Sequence, residues 1–423
     1  MGALFVDQAT LDGVTVGMRV EAGVIAELGP GVGGREGDER IDGASLAIVP
    51  GFVNAHTHAA MTLFRGYADD LPLMEWLERH IWPAEARLDA DDVYWGARLA
   101  CAEMIRCGTV AFWDMYWQPG ATARAVEDAG LRATIGAPLI DGANPEASAQ
   151  LREDAAAGLA ELAGCGELVS PALAPHAIYT VSEPSLRWLG ELSAAECIPL
   201  QIHLSETEAE VDECLRSRGV RPAEHLDDLG VLGPRTLLAH SVWLDQRERE
   251  LIAASGASIV ANPNANMKLA VGSSFDYPSA RAAGIPVAIG TDGAGSNNAL
   301  DLLAEAKQFA LVQKQRAADT AAVTATEALE IARGIRAPLL GAAGAPRVGG
   351  RADFLLVSLD TPALAVGALD AGLVYAADPT VIDTTVVAGR ILMRGGRLVG
   401  DDVSEIVARV RERVDRLGLH DPV

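Results

Sequence analysis

The chain reads as an α/β protein: a parallel (β/α)8 barrel carrying a small β-sandwich built from both chain ends. Two observations predict this. First, eight short apolar runs recur at residues 47–54, 109–115, 132–140, 169–174, 199–204, 236–239, 258–261 and 287–290. Alanine-rich stretches of helical spacing lie between them, among them 92–106, 145–162, 184–196, 245–254 and 300–316. Strands that alternate with helices make a parallel sheet. Second, the two ends share a texture that the middle lacks, with short β-like pieces punctuated by glycine. They fall at 3–6, 14–20 and 24–28, and again at 353–359, 384–387, 391–394 and 397–399, before a terminal helix at 403–417. Neither end has enough core to stand alone, so the two are expected to pair. The expected division is 1–52 and 346–423 for the sandwich and 53–345 for the barrel. A doubly wound open sheet is the rival, but no glycine fingerprint follows the first strand.

Composition narrows the function. The chain has 423 residues and a net charge of −24, with 49% hydrophobic and 22% charged residues, which is ordinary globular usage. That charge argues against nucleic acid, whose phosphates need a basic face. No apolar run reaches the ~18 residues of a membrane span. The first ten residues lack the basic start and apolar stretch of a signal peptide. Cys101, Cys107, Cys165, Cys197 and Cys214 are odd in number and form no C-x-x-C pair, as expected of reduced thiols in a cytoplasmic protein. A small-molecule substrate and a homo-oligomer are the expected partners.

A barrel places its reactive residues at the C-terminal ends of the strands. Strand one ends in "PGFVNAHTHAA", with His56 and His58 one residue apart. Side chains two apart on a strand point the same way, so the two imidazoles are expected side by side, suited to a divalent metal. Two hydrogen-bonded histidines at a strand end would look the same when taken alone. The other strand ends add His176, His203 with Glu206 just beyond, His240 and Asp292. Five of the 8 histidines therefore converge on one barrel mouth. His80, His225 and His420 lie in helix-like or tail segments and read as structural or solvated.

Three imidazoles and one carboxylate suit a catalytic cation of the zinc type. His56, His58, His203 and Asp292 are the expected ligands of one divalent metal per subunit: Zn2+, with Fe2+ or Mn2+ as alternatives. A second metal would call for a carboxylated lysine on strand four. That strand ends in Pro175-His176, and the chain's lysines are Lys268, Lys307 and Lys314.

The blocks "PGFVNAHTHAAMTLFRGYADDLPLMEWL", "APHAIY", "IHLSETEAE", "LLAHSVW", "NPNANMKL" and "IGTDGAGSNNALDL" resemble the amidohydrolase superfamily. Within it they are most similar to the branch of S-adenosylhomocysteine, 5′-methylthioadenosine and related adenosine deaminases. The resemblance runs from about residue 46 to residue 359. It implies addition of water to an amine-bearing ring carbon and expulsion of ammonia. Bound zinc lowers the pKa of its water from about 15.7 toward ~7. Asp292 is then expected to shuttle the water's proton, His240 to stabilise the attacking oxygen, and Glu206 to protonate the ring nitrogen. A helix N-terminal acid is the plain alternative for Glu206.

The stretch 65–88 after strand one is longer than a barrel loop needs and is expected to cover the mouth. By resemblance, Trp76 packs on the substrate's 5′ side, Glu85 binds the ribose hydroxyls and His176 hydrogen-bonds the substrate. Trp76 would otherwise be one apolar contact of a helix over 73–80, and Asn262 and Lys268 would only shape a loop. Members that handle S-adenosylhomocysteine pair its carboxylate with arginines, one of them at the end of strand three. Here Ala137-Pro138 stand at that place, Arg132 is at the wrong end of the strand, and Arg152 is the one substitute in the following helix. The expected substrate is accordingly adenosine, 5′-deoxyadenosine or 5′-methylthioadenosine. An s-triazine or pterin hydrolase is the alternative chemistry, and a barrel without metal that serves as a scaffold is the alternative class.

Overall fold

The computed structural model describes residues 2–142 and 148–420. Eight parallel strands follow one another in chain order: Phe52–Thr57, Thr109–Met115, Arg132–Leu139, Val169–Pro175, Leu200–Leu204, Thr236–His240, Ser258–Ala261 and Val287–Ile289. The helices between them include Ala90–Arg106, Pro119–Ala129, Ser148–Ala163, Glu183–Glu196, Gln246–Ser255 and Leu302–Ala317. The expected start of the third of these, at 145–147, lies outside the described residues.

Hydrogen bonds link the residues just after the last strand to the first strand and leave the ring nearly closed. Asp292 N donates to His56 O at 3.0 Å, Thr291 N to Asn54 Oδ1 at 3.0 Å, and Asn54 Nδ2 to Thr291 Oγ1 at 2.7 Å. Gly290 sits in this seam, where a Cβ would come within 2.6 Å of both His56 O and Asn262 Oδ1. Gly290→Ala is therefore expected to destabilise the fold by about 1–3 kcal/mol through overpacking. A lower urea midpoint at unchanged slope is the check; an unchanged midpoint would mean that the seam yields.

The chain ends form one nine-stranded sheet, ordered Arg397–Leu398, Arg390–Arg394, Ile382–Val387, Phe354–Ser358, Leu46–Pro50, Leu4–Leu11, Val14–Glu21 and Val24–Gly29, with Glu39–Asp42 paired to Leu4–Leu11. Its strands from both ends share an apolar core that includes Val6, Met18, Ile25, Ile48, Phe354 and Leu356. The expected sandwich thus takes the form of a single hydrogen-bonded sheet. Its central junction is Leu46–Pro50 antiparallel to Phe354–Ser358.

The run 47–54 therefore divides between two sheets. Leu46–Pro50 belongs to the end sheet and Phe52–Thr57 to the barrel, so the change falls at Pro50-Gly51 and Phe52 is already a barrel residue. Pro50 lacks an N–H for a further rung. A side chain at Gly51 would lie 2.2 Å from Val110 Cγ1, so only glycine passes there. The terminal helix Val403–Leu417 packs against Ala90–Arg106, pairing Arg413 with Asp91 and Arg416 with Asp92. Among the described residues no helix is long and apolar enough to cross a membrane.

The covering segment is helical over a longer span than 73–80. Leu73–Trp76 and Trp82–Glu85 are α-helical, and Leu77–Ile81 between them is a π turn, with Trp82 N–H reaching Leu77 O. Pro83 supplies the reason: it brings no N–H, and its ring crowds the carbonyl four residues back, so the preceding turn widens.

Candidate active site

The backbone at the barrel mouth is bent to aim side chains inward. Leu237 packs in the barrel interior and Leu238 among the helices, so simple alternation would send His240 outward with Leu238. Instead His240 (φ 69°) and Ser241 (φ 52°) are left-handed, as are Asp292 (φ 60°) and Ser205 (φ 48°). For non-glycine residues this conformation costs energy, and such strain gathers where function demands it.

His56, His58, His203 and Asp292 meet, each offering one atom within 4.8 Å of the others. His203 Nε2 lies 3.2 Å from His56 Nε2, and Asp292 Oδ1 lies 3.5 Å from His56 Nε2 and 3.1 Å from His58 Nε2. The Nδ1 atoms all face carbonyl oxygens: His56 faces Gln201 Oε1 at 3.3 Å, His58 faces Met115 O at 2.6 Å, and His203 faces His176 O at 2.7 Å. Nδ1 is therefore the donor on each ring, and the three Nε2 lone pairs point together. Asp292 Oδ1 is buried without a hydrogen-bond donor. Unprotonated nitrogens and an orphaned carboxylate oxygen around one point make an arrangement that a divalent cation satisfies and protein groups alone do not.

Several supporting residues escaped the sequence reading. Gln201 also donates from Nε2 to Asp114 O at 2.6 Å, which fixes its amide. Ser296 Oγ donates to Asp292 Oδ2 at 2.6 Å. The amides of Asn266 and Asn262 face His240 Nδ1 at 2.9 and 3.4 Å, so Nδ1 accepts and Nε2 keeps the proton. Asn262 thus does more than shape a loop. Burial pushes His240 down to about 3, leaving its ring neutral. Burial also raises the Glu206 carboxyl well above its ordinary range, helped by the nearby Asp292 and Glu210 charges. Glu210 itself accepts from the backbone N–H groups of Ser205 and Glu206, both at 2.9 Å.

These groups open onto one cavity. His58, His176, His203, Glu206, His240 and Asp292 form its floor, with Trp76 and Glu85 of the covering segment opposite, and His56 is fully buried beneath. His176 Nδ1 lies 2.9 Å from Thr180 Oγ1. Trp76 is buried, its indole N–H 3.4 Å from Tyr67 O. Trp117 Nε1 donates to Glu85 Oε2 at 3.4 Å, and burial raises the Glu85 carboxyl. Beyond Glu85 lies a vestibule of ≈ 710 Å³ lined by Met74, Glu78, Trp82, Trp117 and Tyr179 among others. Among the described residues no lysine or arginine lines either space. Arg132 pairs with Asp353 at 2.9 Å, and Arg152 Nε donates to Ser185 Oγ at 2.7 Å, so neither is a lining residue. His225 is 3.8 Å from Glu183, His420 is 3.0 Å from Asp415, and His80 lies edge-on to Tyr67; none lines the cavity.

The model of the Amidohydrolase family matches residues 47–392. A 5′-deoxyadenosine deaminase of Methanoregula boonei is 45% identical over 365 residues, covering 86% of this chain and 83% of its own. A 5-methylthioadenosine/S-adenosylhomocysteine deaminase of Archaeoglobus fulgidus is 41% identical over 405 residues, covering 95% and 94%. Among solved structures, an adenosine deaminase from Xanthomonas campestris with bound zinc superposes with a TM-score of 0.91 at 33% identity, covering 99% of both chains.

Proposed function

Because the chain belongs to the amidohydrolase family, we propose that it is a metal-dependent deaminase of adenosine-type nucleosides, releasing ammonia and the inosine analogue. One observation carries this reading: a cluster of three imidazoles and a carboxylate shares a cavity with Glu206, a buried carboxyl whose surroundings favour its protonated form. His56, His58, His203 and Asp292 would hold the metal. When bound, a divalent cation supplies a water acidified from about 15.7 toward ~7.

The chain's own groups do the rest. Asp292, oriented by Ser296, takes the proton of the attacking water and returns it to the departing amine. His240 donates from Nε2 to the attacking oxygen. Glu206 gives its proton to the ring nitrogen beside the carbon under attack, so that negative charge never builds on the ring. The second proton of the added oxygen restores the Glu206 carboxyl as the product carbonyl forms. Burial and the Asp292 charge serve this role, because both favour the protonated form of the carboxyl, which then has a proton to give. His176 binds the base, Trp76 covers the 5′ side, and Glu85 accepts from the ribose hydroxyls. A ribose diol offers two adjacent hydroxyl donors to one carboxylate, a pairing that the ring of a pterin or triazine does not provide.

Glu85→Ala is expected to lower kcat/KM for adenosine about 10- to 100-fold, as loss of a charged hydrogen bond of ~1.5–3 kcal/mol requires. Any turnover of free adenine should be unchanged. Unaltered adenosine kinetics would remove Glu85 from ribose binding. The function itself is tested by ammonia release from the zinc-loaded protein across adenosine, 5′-deoxyadenosine, 5′-methylthioadenosine, aminopyrimidines, pterins and triazines. Nucleosides should dominate. Preference for a pterin or triazine would overturn the nucleoside reading, and inactivity with well under one metal per chain would favour a scaffold. The same reading keeps the enzyme in the cytoplasm, where its five free cysteines remain reduced.

A further inference from the structure

Lys268 is one of three lysines in the chain, and all three N–H bonds of its ammonium are used. Nζ donates to Asp69 Oδ1 at 2.7 Å, to Asn298 Oδ1 at 2.7 Å and to Gly295 O at 3.1 Å. Asn298 Nδ2 donates back to Asp69 Oδ2 at 2.8 Å and closes the ring. The four residues, the lysine included, come from three segments. Asp69 precedes the covering helix, Lys268 ends the short helix Pro263–Lys268 after the seventh barrel strand, and Gly295 and Asn298 follow the eighth. An exposed lysine–carboxylate pair is typically worth about 0–1 kcal/mol. Here both side chains are mostly buried, at 22% and 27% exposure, and every donor has a fixed acceptor.

Each tied segment bears on the cavity. Ala68 (φ 53°) and Asp70 (φ 64°) flank Asp69 in left-handed conformations, a turn that persists only where its contacts over-determine it. That turn leads to Trp76, whose ring packs so closely on Gly295 that a Cβ there would lie 3.1 Å from it. Ser296, the next residue, holds Asp292. Asn266, on the lysine's own helix, holds His240. The lysine thus joins the cover to the two loops that orient the reacting groups.

We propose that Lys268 is a positioning residue, clamping the covering segment over the cavity so that Trp76 and Glu85 meet the nucleoside in register with Asp292. This rests on the function proposed above for what the cavity binds. Without the ammonium, Asp69 loses its cation beside a strained turn and the segment opens more often. The ribose end of the substrate then loses its partners, while His56, His58, His203 and Asp292 stay in place.

The test uses the full-length, zinc-loaded protein with Lys268→Met, Asp69→Ala and the double variant. Metal content, amide hydrogen exchange, and kcat and KM for 5′-deoxyadenosine are measured. The clamp predicts a KM raised at least tenfold in Lys268→Met, kcat within threefold, and exchange over residues 65–88 at least tenfold faster. Metal content and exchange in the barrel strands stay unchanged, and the double variant is no worse than the worse single one, as for two residues acting as a unit. Unchanged exchange over 65–88, additive effects, or a general rise in exchange with loss of metal would overturn it. If the unmodified enzyme deaminates no nucleoside, the proposed function fails, while the exchange comparison still decides the clamp.

Discussion

His203→Ala is expected to abolish both metal binding and activity, whereas Glu206→Gln keeps the metal and loses about 10²–10⁴-fold in turnover. The two residues are three apart on the same strand end but face different tasks. His203 Nε2 is part of the four-atom cluster, and its Nδ1 is committed to His176 O. Alanine there removes one of the four donors that converge on the cation position and opens a gap on one side of it, so the two imidazoles and the carboxylate that remain no longer enclose the ion. Glu206 stands outside the cluster, in a buried position that favours its protonated form. Glutamine preserves its shape and its hydrogen bonding but has no proton to transfer. Metal analysis of both variants beside their kinetics is the check. Equal metal loss in the two would sink the separation of roles.

The second large effect concerns charge at the 5′ end. 5′-Methylthioadenosine is expected to exceed S-adenosylhomocysteine in kcat/KM by about 100-fold or more, because a buried carboxylate without a partner costs about 3–5 kcal/mol, only part of which water in the vestibule recovers. The cavity and vestibule offer that carboxylate the acids Glu78 and Glu85 and no cation among the described lining residues. Residues 143–147, outside the described set, contain no lysine or arginine either. Arg152 is engaged with Ser185 and Arg132 with Asp353. Measuring both substrates in one buffer is sufficient. Preference for S-adenosylhomocysteine would mean that Arg152 leaves Ser185 for the vestibule.

How much of this could be read in advance follows from where the information sits. Strand positions were legible because apolar runs bounded by glycine, proline and alanine-rich helices are local signals. The members of the cluster were legible because histidines at strand ends are rare enough to be noticed. The split at Pro50-Gly51 was not, since one apolar run serves two sheets and only the Val110 contact explains the glycine. Nor could alternation alone have aimed His240, whose left-handed backbone reverses the expected face. Gln201 carried a readable sign, two residues before His203 and so on the same face. Asn266, Ser296 and Lys268 act across loops distant in sequence, and polar runs such as "NPNANMKL" and "GAGSNN" do not say which loop they will meet.

Hydrolytic deamination at a metal cluster of His56, His58, His203 and Asp292 is tested by following the oxygen. 5′-Deoxyadenosine is turned over by the protein, purified with its metal counted, in water enriched in 18O, and ammonia and nucleoside product are quantified together. One metal per chain, one ammonia per product and one 18O in each molecule of 5′-deoxyinosine are expected. Turnover without ammonia, product without the isotope, or full activity in protein stripped of metal would contradict it.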